Sequence, residues 1–386
     1  MKILLIRTIA IEEDLSVSTY NNQEVGLATD LVKRGNECGI VYYAKRGNGY
    51  EETIERDGAK IKIYHVEGKN FIWNAIYDKK IYDICEKYDI IQTSECDQIA
   101  SWLIYKRFPD KTIIYHGPYK SKYTIKYNLR SKAFDLIFSN KANFKNAHVI
   151  TKSYLAENYL RKKGFKNVIT LGVGLNISNL NHLEKDIPKK IDDVIKEKRD
   201  YKYIMFIGAI SKRKNLKFML EILNNIVNEK KQKKYKLIVI GSKAYKEEKY
   251  YNDCSEYIKE KNLENNVVYL GKVEQKYLSS IYNVSDVYVL PTKYDIFGMV
   301  YLEAMYYGVP IVTTLCGGSS LLIKDDNYGL IEELDNQNAW TYAILKICED
   351  LEFSKRISEN TKREVNENYL WSVLAEKFEC EYKKIK

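Results

Sequence analysis

Histidine is scarce in this chain, cysteine is sparse, and no long apolar run occurs. Four histidines are spread through 386 residues and suggest no metal cluster. The seven cysteines, at positions 38, 85, 96, 254, 316, 348 and 380, are odd in number and contain no Cys-x-x-Cys pair. They read as reduced, mostly packed thiols rather than as a disulfide framework or a zinc site. The apolar opening, Ile3 to Ile6, meets Arg7 and then Glu12, Glu13 and Asp14. It is too short for a signal peptide or a membrane span, and it reads as a buried first strand of a cytoplasmic protein. No internal repeat and no low-complexity tract stands out.

What is present is an ordinary globular balance, 45% hydrophobic and 30% charged, in a length that suits two domains of nearly equal size. The net charge of +10 is unevenly placed. Residues 106–166 hold 15 lysines and arginines against three acids, so the rest of the chain is close to neutral. Such a patch points to an anionic partner. The chain has no recognisable nucleic-acid reading motif, which argues against nucleic acid. Residues 119–134 interleave cations with Tyr119, Tyr123, Ile125, Tyr127, Leu129 and Phe134. That pattern suits peripheral docking on an anionic membrane surface. A solvated basic face with a few packed tyrosines is the other reading.

Short apolar runs alternate with amphipathic stretches along the whole chain. Strands are expected at 2–6, 39–43, 60–64, 89–92, 112–115, 148–150 and 168–171, then at 203–207, 236–240, 267–270, 287–290 and 309–313. Between them lie helical patterns such as 25–34, where Val25, Ala28, Leu31 and Val32 share a face. Alternation of this kind implies α/β architecture with parallel sheets covered by helices, here as two doubly wound domains at 1–180 and 201–367. The Lys- and Asp-rich stretch 181–200 is expected to connect them. Doubly wound sheets bind ligands beyond the carboxyl ends of their strands, so the natural site is a cleft between the two domains.

Four strand ends carry candidate chemistry. Gly208-Ala-Ile-Ser-Lys212-Arg213-Lys214-Asn215 clusters three cations before a helix start, which makes either a diphosphate site or a solvated basic turn. Residues 291–305 run from a strand through Asp295 into a helix from about Gly298, whose first amides are free for an anion or a sugar hydroxyl. Glu303 sits on that helix among apolar residues and needs partners if buried; ribose hydroxyls would serve. Alternatively, Asp295 caps the helix and Glu303 pairs with a surface lysine. Gly317-Gly318 permits close approach of a ligand, or simply a tight turn. His116, before Gly117-Pro118, either faces the cleft or is satisfied inside the core.

Taken in order, these segments resemble the family 4 glycosyltransferases, a retaining group with the GT-B fold, two Rossmann-like domains facing a cleft. The resemblance covers nearly the full length. It is carried by residues 33–38, Thr151-Lys-Ser153, Gly172-Val-Gly174-Leu175-Asn176, 208–215, 270–273, 285–303, Gly308-Val309-Pro310 and Gly317-Gly318. Tyr369-Leu-Trp371 is similar to the start of the family's last helix, so residues from about 368 to 386 are expected to pack back on the N-terminal domain.

The resemblance implies a metal-independent enzyme with a nucleotide-sugar co-substrate, a UDP-sugar by default. It implies that Lys214 binds the donor diphosphate, with Gly208 and Arg213 beside it. Phe297, Gly298, Met299 and Val300 would present amides to the donor sugar and phosphate, and Val273 would lie near the base. Glu303, the second acid of a Glu-x7-Glu motif, would hold the ribose. His116 and Asp295 would meet the transferred sugar. Three departures stand out. Asp295 replaces the first glutamate, Ala209 replaces an arginine, and Ser18-Thr19-Tyr20-Asn21-Asn22-Gln23 replaces a glycine-rich loop. That polar loop suits an acceptor sugar, with Tyr20, Asn21 and Asn22 as contacts. A glycan or lipid-linked saccharide of bacterial surface polysaccharide synthesis is the expected acceptor. A non-catalytic sugar or lipid-phosphate binder on the same fold is the alternative that Asp295 and Ala209 favour.

Overall fold

The computed structural model describes residues 1–13, 15, 22–72, 74–178, 180 and 186–386. Met1–Asn176 and Asn368–Lys386 make up one unit, and Ile177–Glu367 the other. Tyr20 and Asn21 lie outside the described residues.

The first unit is built on nine strands: β1 (Lys2–Ile6), β2 (Glu37–Ala44), β3 (Tyr50–Arg56), β4 (Ala59–Phe71), β5 (Asn74–Tyr77), β6 (Ile90–Ser94), β7 (Thr112–His116), β8 (His148–Thr151) and β9 (Asn167–Thr170). Their order is β3-β4-β2-β1-β6-β7-β8-β9, with β5 paired to β4. The sheet is parallel from β4 through β9 in that order. Two pairings correct the expectation of purely parallel sheets: β3 and β5 both run antiparallel to β4. The β3–β4 hairpin turns on Asp57-Gly58, both with positive φ (47° and 80°). An Asp-Gly pair between two strands is the chemistry of a two-residue primed turn. The charges of β3 (Glu51, Glu52, Glu55, Arg56) keep this edge strand solvated and hide its strand character in the sequence.

The final helix, Trp371–Lys383, closes this unit. Trp371 fills a slot that only glycine permits: a Cβ at Gly174 would lie 2.2 Å, and one at Gly26 2.4 Å, from its indole. Leu175 N–H donates to Tyr369 O (2.7 Å), Trp371 N–H to Leu175 O (3.2 Å), and Tyr382 Oη to Gln92 Oε1 (2.7 Å).

The second unit carries β10 (Lys202–Ile207), β11 (Tyr235–Ile240), β12 (Val267–Gly271), β13 (Val287–Leu290), β14 (Ile311–Thr313) and β15 (Leu330–Ile331). All pair in parallel, in the order β12-β11-β10-β13-β14-β15. The central strands are buried on both faces, which is why they read as unbroken apolar runs. The stretch expected to be a connection, 181–200, contains the helix Lys189–Lys196, whose Ile191 and Val194 are buried. The described part of that stretch belongs to the second unit.

Strand order reverses between β10 and β13 in the second unit and between β1 and β6 in the first. Loops that leave these strands diverge and open a crevice at the carboxyl edge.

Candidate functional site

In the second unit the two loops at the reversal point are the two that the sequence marks. The loop after β10 carries Gly208, Arg213 and Lys214; the loop after β13 carries Asp295 and Phe297. Hydrogen bonds stitch them together: Lys293 N–H donates to Arg213 O (2.9 Å), and the Arg213 side chain donates from Nη1 to Tyr294 O (2.8 Å). The Lys214 stem lies over Gly208, 3.5 Å from where a Cβ would stand. Its ammonium meets the Asp295 carboxylate directly, and Arg213 Nη1 lies 3.6 Å from the same carboxylate. An ammonium has three donors, so Lys214 can hold Asp295 and still offer protons to an anion.

Gly298 opens the helix Met299–Tyr307 with φ +84°, and a Cβ there would strike the Tyr301 ring at 2.8 Å. The Asp295 carboxylate, besides any contact with this helix start, is held by Lys214. The amides of Met299 and Val300 belong to the first turn, where no intrahelical acceptor exists, and the helix dipole adds positive potential there. Phe297 is buried. Glu303 is 4% exposed, and the Tyr282 hydroxyl donates to its carboxylate at 2.7 Å. Tyr282 in turn stacks on Tyr307, with ring centroids 4.9 Å apart. Val273 follows β12, two strands from β10 in the sheet, and is half-buried.

Gly317-Gly318 is explained by packing. A Cβ on Gly317 would lie 1.8 Å from Ile296 O, and one on Gly318 1.9 Å from Phe297 O. The helix Gly317–Leu322 thereby presses its backbone against the Asp295–Phe297 loop and fixes that loop's path.

In the first unit, His116 ends β7 and is 1% exposed. The Cys96 amide donates to its Nδ1 at 3.1 Å. The other ring nitrogen, Nε2, is buried and has no partner among the described residues. Beside it stands Glu95, at the end of β6 with φ +63°. Its Oε2 is 3.1 Å from His116 Nδ1 and accepts from Gly117 N–H at 2.8 Å, and its Oε1 is 3.4 Å from Lys152 Nζ. Burial pushes this carboxyl up, but Lys152, His116 and the Gly117 amide outweigh it and hold the group at about 2. Sequence reasoning missed Glu95 and Lys152, although each directly follows a parallel strand, the same signal that marked His116.

Asn22 has a local duty as well. Its Oδ1 caps the helix Gln23–Lys33 by accepting from Val25 N–H (3.1 Å) and also accepts from Tyr42 Oη (2.9 Å). Its Oδ1 is thus occupied within the fold, while its Nδ2 is buried without a partner among the described residues.

Comparison with known proteins places these features. Residues 188–364 match the family described as glycosyl transferases group 1. An uncharacterized glycosyltransferase of Methanocaldococcus jannaschii is 28% identical over 212 residues, 53% of this chain and 52% of that protein. Spore coat protein SA of Bacillus subtilis is 26% identical over 190 residues, 47% of this chain and 49% of that protein. The chain spans about half the length of these curated relatives. Among solved structures, sucrose-phosphate synthase from Thermosynechococcus elongatus superposes with a TM-score of 0.74 at 18% identity, covering 100% of this chain and 98% of that one. Anabaena HepE in complex with UDP gives 0.71 at 15% identity, with 100% of both chains covered. These likenesses establish the fold as GT-B.

Proposed function

We propose, from the match of residues 188–364 to the group 1 glycosyl transferases, that this chain moves a sugar from a nucleotide-diphosphate sugar to an acceptor hydroxyl. One observation carries the reading. The Lys214–Asp295 pair, the open turn at Gly298 and the buried Glu303 belong to the loops and helix at the β10/β13 reversal point. A diphosphate needs cations and free amides, and a ribose needs a carboxylate acceptor; the second unit supplies all three. The UDP complex of the Anabaena neighbour makes a uridine nucleotide the first donor to try.

In this reading the leaving diphosphate gains negative charge as the anomeric carbon becomes cationic. Lys214, Arg213 and the amides of Gly298, Met299 and Val300 stabilise that charge as it grows, at about 3 kcal/mol per well-placed donor. Asp295, one methylene shorter than glutamate, holds Lys214 in place. Those cations stand where other enzymes use a divalent ion, so transfer needs no metal. Reaction proceeds with retention, the departing phosphate oxygen taking the acceptor proton on the same face. His116 Nε2 is the polar group that the first unit offers a sugar oxygen. The acceptor is a glycan or lipid-linked saccharide of a bacterial surface polysaccharide, met by a cytoplasmic protein lying peripherally on the inner face of the membrane.

The test is a thermal-shift and turnover screen with UDP, GDP, ADP and their sugars. A ligand bound only by the folded state raises Tm. One nucleotide is expected to stabilise the protein and its sugar to be transferred or slowly hydrolysed. Stabilisation without any turnover across the panel would favour a binding protein instead.

A further inference from the structure

The helix Ile125–Phe134, continued by the turn Asp135–Ser139, carries a second line of apolar residues on the outside. Its inward side is anchored by Phe134 and Phe138, packed with Trp102, and by polar contacts. Arg130 Nη2 lies 3.5 Å from the buried Asp97 carboxylate, the Ser131 hydroxyl bonds Tyr159 Oη at 2.7 Å, and Lys163 Nζ holds Ser131 (3.0 Å) and Asp135 (2.8 Å). Its outward side carries Ile125, Leu129 and Leu136, which are 65%, 62% and 80% exposed, with Ile137 alongside. At 100° per residue, Ile125, Leu129, Lys132 and Leu136 fall within an arc of about 60°. A helix packed on a domain normally turns such a line to the core.

The charges around the line are as unusual as the line. Lys120, Lys122, Lys126, Lys132 and Lys141 are all exposed, and none forms an ion pair among the described residues. No acid occurs between Asp110 and Asp135. Other cations of the basic stretch turn to partners within the unit: Lys111 to the Cys85 and Tyr88 carbonyls, Lys152 to Glu95, Arg161 to Glu157 and Lys163 to Asp135. Five cations without an ion pair among the described residues thus lie on or close in sequence to the helix that carries the aliphatic line.

We propose that this helix face rests on the surface of an anionic bilayer, with Ile125, Leu129 and Leu136 entering the boundary between headgroups and acyl chains and the five lysines meeting anionic headgroups. A second copy fits poorly, because five unpaired lysines would face five more. The inference deepens the peripheral reading given under the proposed function and does not depend on donor binding.

Co-sedimentation of the full chain at low salt tests it, with vesicles of phosphatidylglycerol and phosphatidylcholine against phosphatidylcholine alone. The mixed vesicles are expected to retain the protein and the neutral ones to release it. The pair Leu129→Ser with Leu136→Ser, and separately the triple Lys122→Glu, Lys126→Glu, Lys132→Glu, should each lower binding at least about tenfold. Both variants should keep the wild-type Tm and nucleotide-induced Tm shift, since every altered side chain is exposed. Wild type that ignores anionic vesicles, or variants that bind as wild type does, would overturn the proposal. So would a lipid-free dimer that the same substitutions dissolve. Any of these with the nucleotide shift intact sinks the docking surface and leaves the donor site standing.

Discussion

On the proposed reading Lys214 and Glu303 divide the donor between them, and their truncations should fail differently. Lys214→Ala removes a cation that acts on growing charge, so turnover should fall by two or more orders of magnitude, corresponding to about 3 kcal/mol or more. Asp295 then loses its contact with Lys214 and keeps Arg213 beside it. Glu303→Gln keeps the shape and the Tyr282 contact but weakens the acceptor that ribose hydroxyls require, so the nucleotide-induced Tm shift should shrink while the apo Tm stays near wild type. Steady-state kinetics and thermal shift on the two variants check this split. Glu95 gives a prediction in pH. Its folded-state value of about 2 lies below the ordinary 4.5, so its contribution to stability is fully present above pH 4.5 and is lost as pH falls toward 2. Glu95→Gln should therefore destabilise the first unit at neutral pH, and the gap in Tm from wild type should narrow steadily below pH 4.5.

At the scale of elements, glycines fix where loops and helices meet. Gly174→Ala drives a methyl into the Trp371 indole and should cost about 1–3 kcal/mol in urea unfolding, because overpacking cannot be relieved by a flexible side chain there. Gly317→Ala strikes the Ile296 carbonyl and should disturb nucleotide binding as well as stability, since that contact sets the path of the Asp295 loop. How far these elements could be read beforehand followed from burial. The central strands of the second unit are apolar along their length, so the ends carrying Gly208, Lys214 and Asp295 were legible from composition alone. The partnership of Lys214 with Asp295 was not, because it depends on β10 lying beside β13, a neighbour relation that periodicity does not encode. Strand β3 was hidden by its four charges, although Asp57-Gly58 announced the turn. Asn22 was read as an acceptor contact, and its local role as a helix cap, one that any Asn before an amphipathic stretch can take, went unread.

Across the whole molecule, the alternation of strands and helices revealed two doubly wound units, but not where one ends. The residues from 189 to 196 are rich in lysine and aspartate, yet they bury Ile191 and Val194 as a helix of the second unit. The basic stretch was visible as charge; which of its cations are occupied within the fold required tertiary contacts such as Lys152–Glu95. The central claim concerns the second unit alone: that its reversal point holds a nucleoside diphosphate. A crystal of the chain soaked with UDP measures this most directly. The account expects the pyrophosphate against Lys214 and the amides of Met299 and Val300, with the ribose on Glu303. A nucleotide bound elsewhere, with the Lys214–Asp295 pair and Glu303 untouched, would contradict it.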